Sequence, residues 1–282
     1  MFKKVLVAVD FSGPALELLN AVSDLKEMGL EELVIVHVIR METAGRGIGA
    51  HRHRFLSKIE EKKKELESEG LKVKVIQPVG SPVEEIKGLA EEENVNLILI
   101  GSIGEGSVVR ELFLGSTVAN VIRVTKKPVL IEKYDKVNGK PVRKIIFDQN
   151  RPTTALLATD FSRNSLQVFD LFLENYKIFD KVILLNVIDE GYTIEQVEEN
   201  KRKAEEKLKI WQKEFEEKGL AVELCVVVGI SSEEIVKIAN EKEVSVVALS
   251  RRGRGMIDEL VIGSTADPVV RRSSRPVLLI KG

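Results

Sequence analysis

Short unbroken runs of apolar residues alternate along this chain with longer stretches in which apolar residues return every three or four positions. VLVAV at 5–9, LVIVHVI at 33–39, LILI at 97–100 and PVLI at 128–131 are of the first kind. A run that is apolar on both faces and bounded by polar residues or glycine reads as a buried strand of a parallel sheet. The intervening stretches read as helices. After Asp10, Ser12 can cap a helix that carries Pro14 in its first turn, and Ala15, Leu18, Leu19, Val22 and Leu25 then fall on one face. Further on, Ile194, Val197, Ala204, Leu208, Trp211 and Phe215 form a similar stripe on a long helix. That stripe could be a coiled-coil seam, but a face covering its own sheet is the preferred reading.

The pattern is written twice. VLVAVDFS at 5–12 returns as ALLATDFS at 155–162, and LVIVHVI at 33–39 as VILLNVI at 182–188. VIQPVGSPVEEI at 75–86 returns as CVVVGISSEEI at 225–235, LILIG at 97–101 as VVALS at 246–250, and KPVLI at 127–131 as RPVLL at 275–279. The offset stays at 148 to 150 residues, so these are two copies of one domain and not a short-period solenoid. We place them at residues 1–134 and 153–282, joined by a linker at 135–152 that mixes charge with Asn-Gly and Pro. KIIF at 144–147 could add a short extra strand. Strand and helix in alternation predict an α/β fold: two tandem doubly wound domains, each on a five-stranded parallel sheet.

Composition narrows the function classes. The 43 Lys and Arg nearly balance the 44 Asp and Glu, so there is no basic field for nucleic acid. Cys225 is the only cysteine; no intrachain disulfide can form, which is compatible with a reducing cytoplasm. It begins a strand and reads as a small core residue. The start, MFKKVLVAVDFS, is too short in apolar residues for a signal segment, and no run approaches the length of a membrane span. Expected partners are therefore neither nucleic acid nor membrane.

Glycine placement carries the candidate chemistry. GSIGEGSVVRELFLGST at 101–117 and SRRGRGMIDELVIGST at 250–265 end alike. In an open parallel sheet, ligands bind beyond the carboxyl ends of the strands, where the strand order reverses. If the strands ending at Asp10 and Gly101 are neighbours there, those residues flank one crevice. A bare backbone at Gly101 lets a sugar or base come close. Gly104-Glu105-Gly106 can bend into an anion-binding nest. Gly115-Ser116-Thr117 opens a helix whose amide end and hydroxyls favour phosphate. No Gly-Lys-Ser/Thr follows, so this is not a Walker A loop. Singly, such glycines read as plain loop and cap residues; their recurrence after equivalent strands argues against that.

Taken together, Gly-x2-Gly-x9-Gly-Ser/Thr, a strand ending in Asp-Phe-Ser and a closing KPVLI strand resemble the universal stress protein family, here in tandem. The resemblance implies the strand order 3-2-1-4-5 of the adenine nucleotide α-hydrolase-like group. It also implies ATP or AMP in the crevice, with Mg2+ as a companion ion, and dimers formed between halves of one chain or between chains. Carried onto the first copy, it assigns Asp10 to ribose and base and Val38 to adenine through its backbone. Gly101, Gly104, Gly115, Ser116 and Thr117 go to the sugar-phosphate tail, with Ala8 and Ile100 beside them at the strand ends. Ten residues separate Gly104 from Gly115, where the family has nine. In the second copy the corresponding residues are Ala158, Asp160, Val187, Leu249, Ser250, Gly253, Gly263, Ser264 and Thr265, with the family's spacing of nine. Ser250 replaces the first glycine, which tightens the approach. Arg251, Arg252 and Arg254 surround Gly253 and either favour phosphate or lie on a solvated loop. The first copy carries Glu105 in that region, yet its bare Gly101 ranks it slightly ahead.

No catalytic set stands out. His37 lies inside a strand and reads as packed. His51 and His53 lie in a stretch, 40–54, read as a mobile loop, and have no Cys or acidic partner at metal spacing. Gly45 to Ala50 formally matches a dinucleotide fingerprint but follows the second strand instead of the first, and the second copy has no equivalent. The expectation is a nucleotide-binding, stress-response regulatory protein of the cytoplasm and not an enzyme. The alternatives are a slow ATP hydrolase, an adenylate-forming enzyme, and a non-binding dimerisation scaffold.

Overall fold

A computed structural model describes every residue except 11–12, 42–49, 103–113, 139, 149, 192, 254–260 and 282. The chain divides into two compact units, Met1–Lys144 and Ile145–Gly282. In the first, strands β1 (Lys4–Ala8), β2 (Glu32–Val36), β3 (Lys72–Ile76), β4 (Leu97–Gly101) and β5 (Val129–Glu132) pair in parallel. Their order is β3-β2-β1-β4-β5. In the second, β8 (Thr154–Ala158), β9 (Lys181–Ile188), β10 (Ala221–Val228), β11 (Val246–Ser250) and β12 (Val277–Ile280) repeat it as β10-β9-β8-β11-β12. Within each unit the five strands thus follow the order 3-2-1-4-5. The first strand of each copy lies between the second and the fourth, which makes the switch point at the centre of the sheet.

The apolar runs became strands for the anticipated reason. Val5, Leu6 and Val7, and likewise Leu97, Ile98 and Leu99, are buried on both sheet faces, because helices cover both. β3 (KVKVI) and β10 are only half-buried along their lengths. Cys225 accordingly sits mid-strand in β10, half-buried, where the sequence placed it at the start of a core strand.

The helix expected after Asp10 forms as two pieces, α1 (Gly13–Leu19) and α2 (Val22–Glu27). Between them the hydrogen bonds tighten, Asn20 N–H to the Glu17 carbonyl and Ala21 N–H to the Leu18 carbonyl. All five predicted facing residues are buried all the same. The proposed Ser12 cap lies outside the described residues. Helix α3 (Ala50–Ser68) corrects part of the loop expected at 40–54: His51 and His53 belong to its first turns, while the glycines of the fingerprint-like stretch fall at 42–49, outside the described residues. Helices α4 (Pro82–Glu92) and α5 (Ser116–Val124) complete the first unit.

In place of a strand at KIIF, the chain builds an antiparallel ribbon just before it, β6 (Tyr134–Val137) and β7 (Lys140–Arg143). Between the two strands Asn138 has φ 50°, a left-handed conformation that asparagine tolerates. Ile146 is fully buried.

The second unit carries α6 (Arg163–Glu174), a short 3-10 turn at Tyr176–Ile178, α7 (Ile194–Glu216), α8 (Ser231–Glu241) and α9 (Ala266–Arg272). The stripe on α7 faces its own sheet: Ala204, Leu208, Trp211 and Phe215 are buried, with Trp211 stacked at 4.5 Å on Phe169. Its first members do not reach the sheet. Ile194 is 79% exposed and Val197 is half-buried, because the helix overhangs the strand ends there.

Candidate functional site

A cavity of about 550 Å3 opens beyond the carboxyl ends of β8, β9 and β11. All nine residues expected from the second copy line it. Ala158 ends β8, Val187 lies one residue from the end of β9, and Leu249 and Ser250 end β11. Asp160 and Gly253 meet across the switch point. A Cβ built on Gly253 would stand 2.8 Å from the Asp160 Oδ2. A Cβ on Gly263 would press at 3.2 Å on the Arg251 carbonyl, a backbone atom that would have to shift. The Gly263 N–H donates to that same carbonyl at 2.9 Å. Gly263 is therefore hemmed in by backbone, whereas at Gly253 only the end of the Asp160 side chain stands in the way. Ser264 and Thr265 follow in a turn that leads into α9.

The Asp-Phe-Ser turn is held by its own side chains. Thr159 Oγ1 accepts from the Phe161 N–H and Asp160 Oδ1 from the Ser162 N–H. Ser162 caps α6 by accepting from the Ser165 N–H. Asn164 Nδ2 donates to the Arg252 carbonyl at 3.2 Å, which ties this turn to the loop after β11. Phe161 is left with φ 58°, a conformation that a bulky residue adopts at a cost of about 1–3 kcal/mol. That strain turns its ring onto the cavity wall, 5.8 Å from Trp211 and 5.0 Å below Lys207 Nζ.

Ser250 does not plug the crevice as its replacement of glycine threatened. Its hydroxyl turns back and donates to the Arg252 carbonyl at 2.8 Å. Arg251 and Arg252 are buried, which removes the solvated-loop alternative for both; the cavity wall includes Arg251 but not Arg252. Arg254 lies outside the described residues. Residues that the motif did not mark also line the cavity, among them Asn186, Asn200, Lys203 and Lys207. Asn186 Nδ2 fixes the Thr159 carbonyl at 2.8 Å. The spacing of 200, 203 and 207 puts the last three on one face of α7, a signal present in the sequence but shared with many exposed lysines.

In the first unit, Ala8 ends β1, Asp10 lies two residues beyond it and Val38 two residues beyond β2. Ile100 and Gly101 end β4, with Gly101 opposite Glu132. Gly115 precedes α5, whose first residues are Ser116 and Thr117, and its N–H donates to the Ser102 carbonyl at 3.3 Å. Gly104 and Glu105 lie outside the described residues. His37 is buried, as expected, with Nδ1 3.0 Å from the Val9 carbonyl.

Next to Gly101 stands a buried charge cluster that the sequence did not announce. Arg143, from the ribbon, reaches Asp24 at 2.5 Å and Glu132 at 3.7 Å. Burial pushes the Glu132 carboxyl up to about 8, against the pull of Arg143, and pushes the Lys133 ammonium down to about 8. Tyr134 is also raised by burial, and its hydroxyl donates to the Pro14 carbonyl at 3.3 Å.

Two copies of the strand order 3-2-1-4-5, with a glycine-edged crevice at the switch point of the second, define a doubly wound α/β protein. The profile of the universal stress protein family matches residues 1–133 and 153–281, so the chain belongs to that family. It is 36% identical over 156 residues to a universal stress protein of Methanocaldococcus jannaschii, covering 47% of this chain and 96% of that one. It is 32% identical over 150 residues to a universal stress protein of Bacillus subtilis, covering 46% and 99%. The crystal structure of a universal stress protein from Archaeoglobus fulgidus covers 99% of this chain and 96% of its own, at 26% identity and a TM-score of 0.70. No described helix is long and apolar enough to cross a membrane.

Proposed function

We propose that the protein is a cytoplasmic regulatory protein that binds ATP or AMP in the crevice of its second unit, with the first unit carrying the related site. One observation carries this reading: Gly253, beside the Asp160 carboxylate, and Gly263, against the Arg251 carbonyl, present bare backbone to a cavity of about 550 Å3. That volume lies within the roughly 300–1,000 Å3 of small-molecule sites. Bare backbone at the strand ends admits a ribose. The hydroxyls of Ser264 and Thr265, with Arg251 on the wall, give a phosphate tail donors and positive charge. A companion Mg2+, if bound with the phosphates, would take a carboxylate oxygen from Asp160.

The test is calorimetric titration of the full chain with ATP and AMP, joined to mass spectrometry of any small molecule released on denaturation. A saturable adenine-nucleotide isotherm is expected. Silence for every adenine compound overturns the reading. The regulatory role is separable: with Mg2+ and excess ATP, the protein should release no product beyond one equivalent, and sustained turnover would make it an enzyme. Self-association belongs to the same reading and is checked by sedimentation of the full chain.

A further inference from the structure

The crevice of the second unit does not end at Ser264 and Thr265. A second hollow of about 480 Å3 continues beyond them, sharing with the first these two residues, the end of β9 and Ser231. Its far wall is apolar and made of Val197, Val228 and Ile230, two of which are about half exposed or more, at 48% for Val228 and 62% for Ile230. Its near wall is acidic. Asp189 and Glu190 line both hollows, and Asp189 Oδ2 accepts from the Ser231 hydroxyl at 2.7 Å. The residues that would hold phosphate under the proposed function therefore stand between the crevice and a second, more open chamber, and not at a blind end.

From this we infer that the second unit's crevice takes dinucleoside polyphosphates, with one nucleoside in each chamber and the phosphate chain across Ser264 and Thr265. The inference rests on the adenine-nucleotide reading and extends it. Three features of the second chamber choose this class. Its apolar wall matches the face of a base, and covering Val228 and Ile230 removes exposed apolar surface from water. Its carboxylates accept hydrogen bonds from ribose hydroxyls or an exocyclic amine. The same carboxylates repel a free terminal phosphate, so ATP pointing into this chamber is disfavoured. In a dinucleoside polyphosphate the phosphate nearest this chamber is a diester carrying one negative charge, where a terminal phosphate carries about two, and the attached nucleoside brings hydroxyl donors. The remaining charge of the chain faces Arg251, Lys203 and Lys207 on the first chamber's wall.

Calorimetric titrations of the full chain with ATP and with diadenosine tetraphosphate test this. The tetraphosphate is expected to bind about tenfold more tightly, a difference of ~1.4 kcal/mol. Ile230→Asp places a good helix cap at an exposed position and removes the apolar wall. It should reduce that advantage to below about twofold while ATP affinity stays within about twofold. Val228→Ser, at the end of β10, alters the same wall independently and should act likewise. If ATP binds but the tetraphosphate binds no better, or if both variants weaken the two ligands equally, the second chamber is no subsite and the inference falls while the ATP reading stands. If neither ligand binds, both fall together.

Discussion

Gly253 and Gly263 show how little chemistry a site needs when the backbone itself is the wall. At Gly253 the nearest obstacle to a side chain is the end of the flexible Asp160 carboxylate; at Gly263 it is the Arg251 carbonyl. The two positions should therefore fail differently. Gly253→Ala is expected to fold normally and to bind ATP at least about tenfold more weakly, because Asp160 must swing into the ribose space. Gly263→Val should lose binding and lower the melting temperature as well, since a carbonyl bonded to the same loop has to move. Calorimetric titration with a parallel melting curve separates the two outcomes. Equal affinity for wild type and Gly253→Ala would show that no ligand approaches this wall.

Among the elements, the β6–β7 ribbon has the most to reveal, because it brings Arg143 between Asp24 and Glu132 in a buried place. Removing one partner of a buried ionic cluster leaves charge uncompensated, so Arg143→Met should destabilise the protein by about 3–5 kcal/mol. The pH dependence follows from burial. Glu132 holds its proton up to about 8 in the folded state and releases it near 4.5 when unfolded. Between those values the folded state binds more protons, so this group lowers stability as pH rises from about 4.5 to about 8. Lys133 acts oppositely, returning stability as pH rises from about 8 towards 10.5. Glu132→Gln removes the first effect. Its melting temperature should exceed that of the wild type most at pH 8 and converge with it near pH 5. A constant difference across that range would mean that Glu132 is ionised in the fold.

For the whole molecule, a single tryptophan gives a selective view. Trp211 packs on Phe169 and against Phe161, which lines the cavity, so its fluorescence reports the second unit and its crevice. Nucleotide at about 100 times its dissociation constant should stabilise the Trp211-reported transition by about 2.7 kcal/mol. Fluorescence melting with and without ATP measures this. An unchanged transition at saturating ATP would place the binding site elsewhere.

Much of this protein is written in its sequence, and the reasons are local. Runs such as VLVAV and LILI can only be strands buried on both faces, and an offset of about 150 residues makes two domains of them. Because strand ends and glycines recur together, the sequence alone puts Asp160, Gly253 and Gly263 at one strand-end crevice. What the sequence could not say concerns residues that meet only in space. Nothing near Arg143 announces Asp24, 119 positions away. KIIF has the composition of a strand but lies after the ribbon that claims the preceding residues. The hydroxyl of Ser250 could have filled the crevice, and a single rotation onto the Arg252 carbonyl decides otherwise. Periodicity along the chain records which way each residue faces its own sheet. It does not record which distant groups are brought across a strand end, because that depends on the packing of elements whose separation in sequence has no bearing on their separation in space.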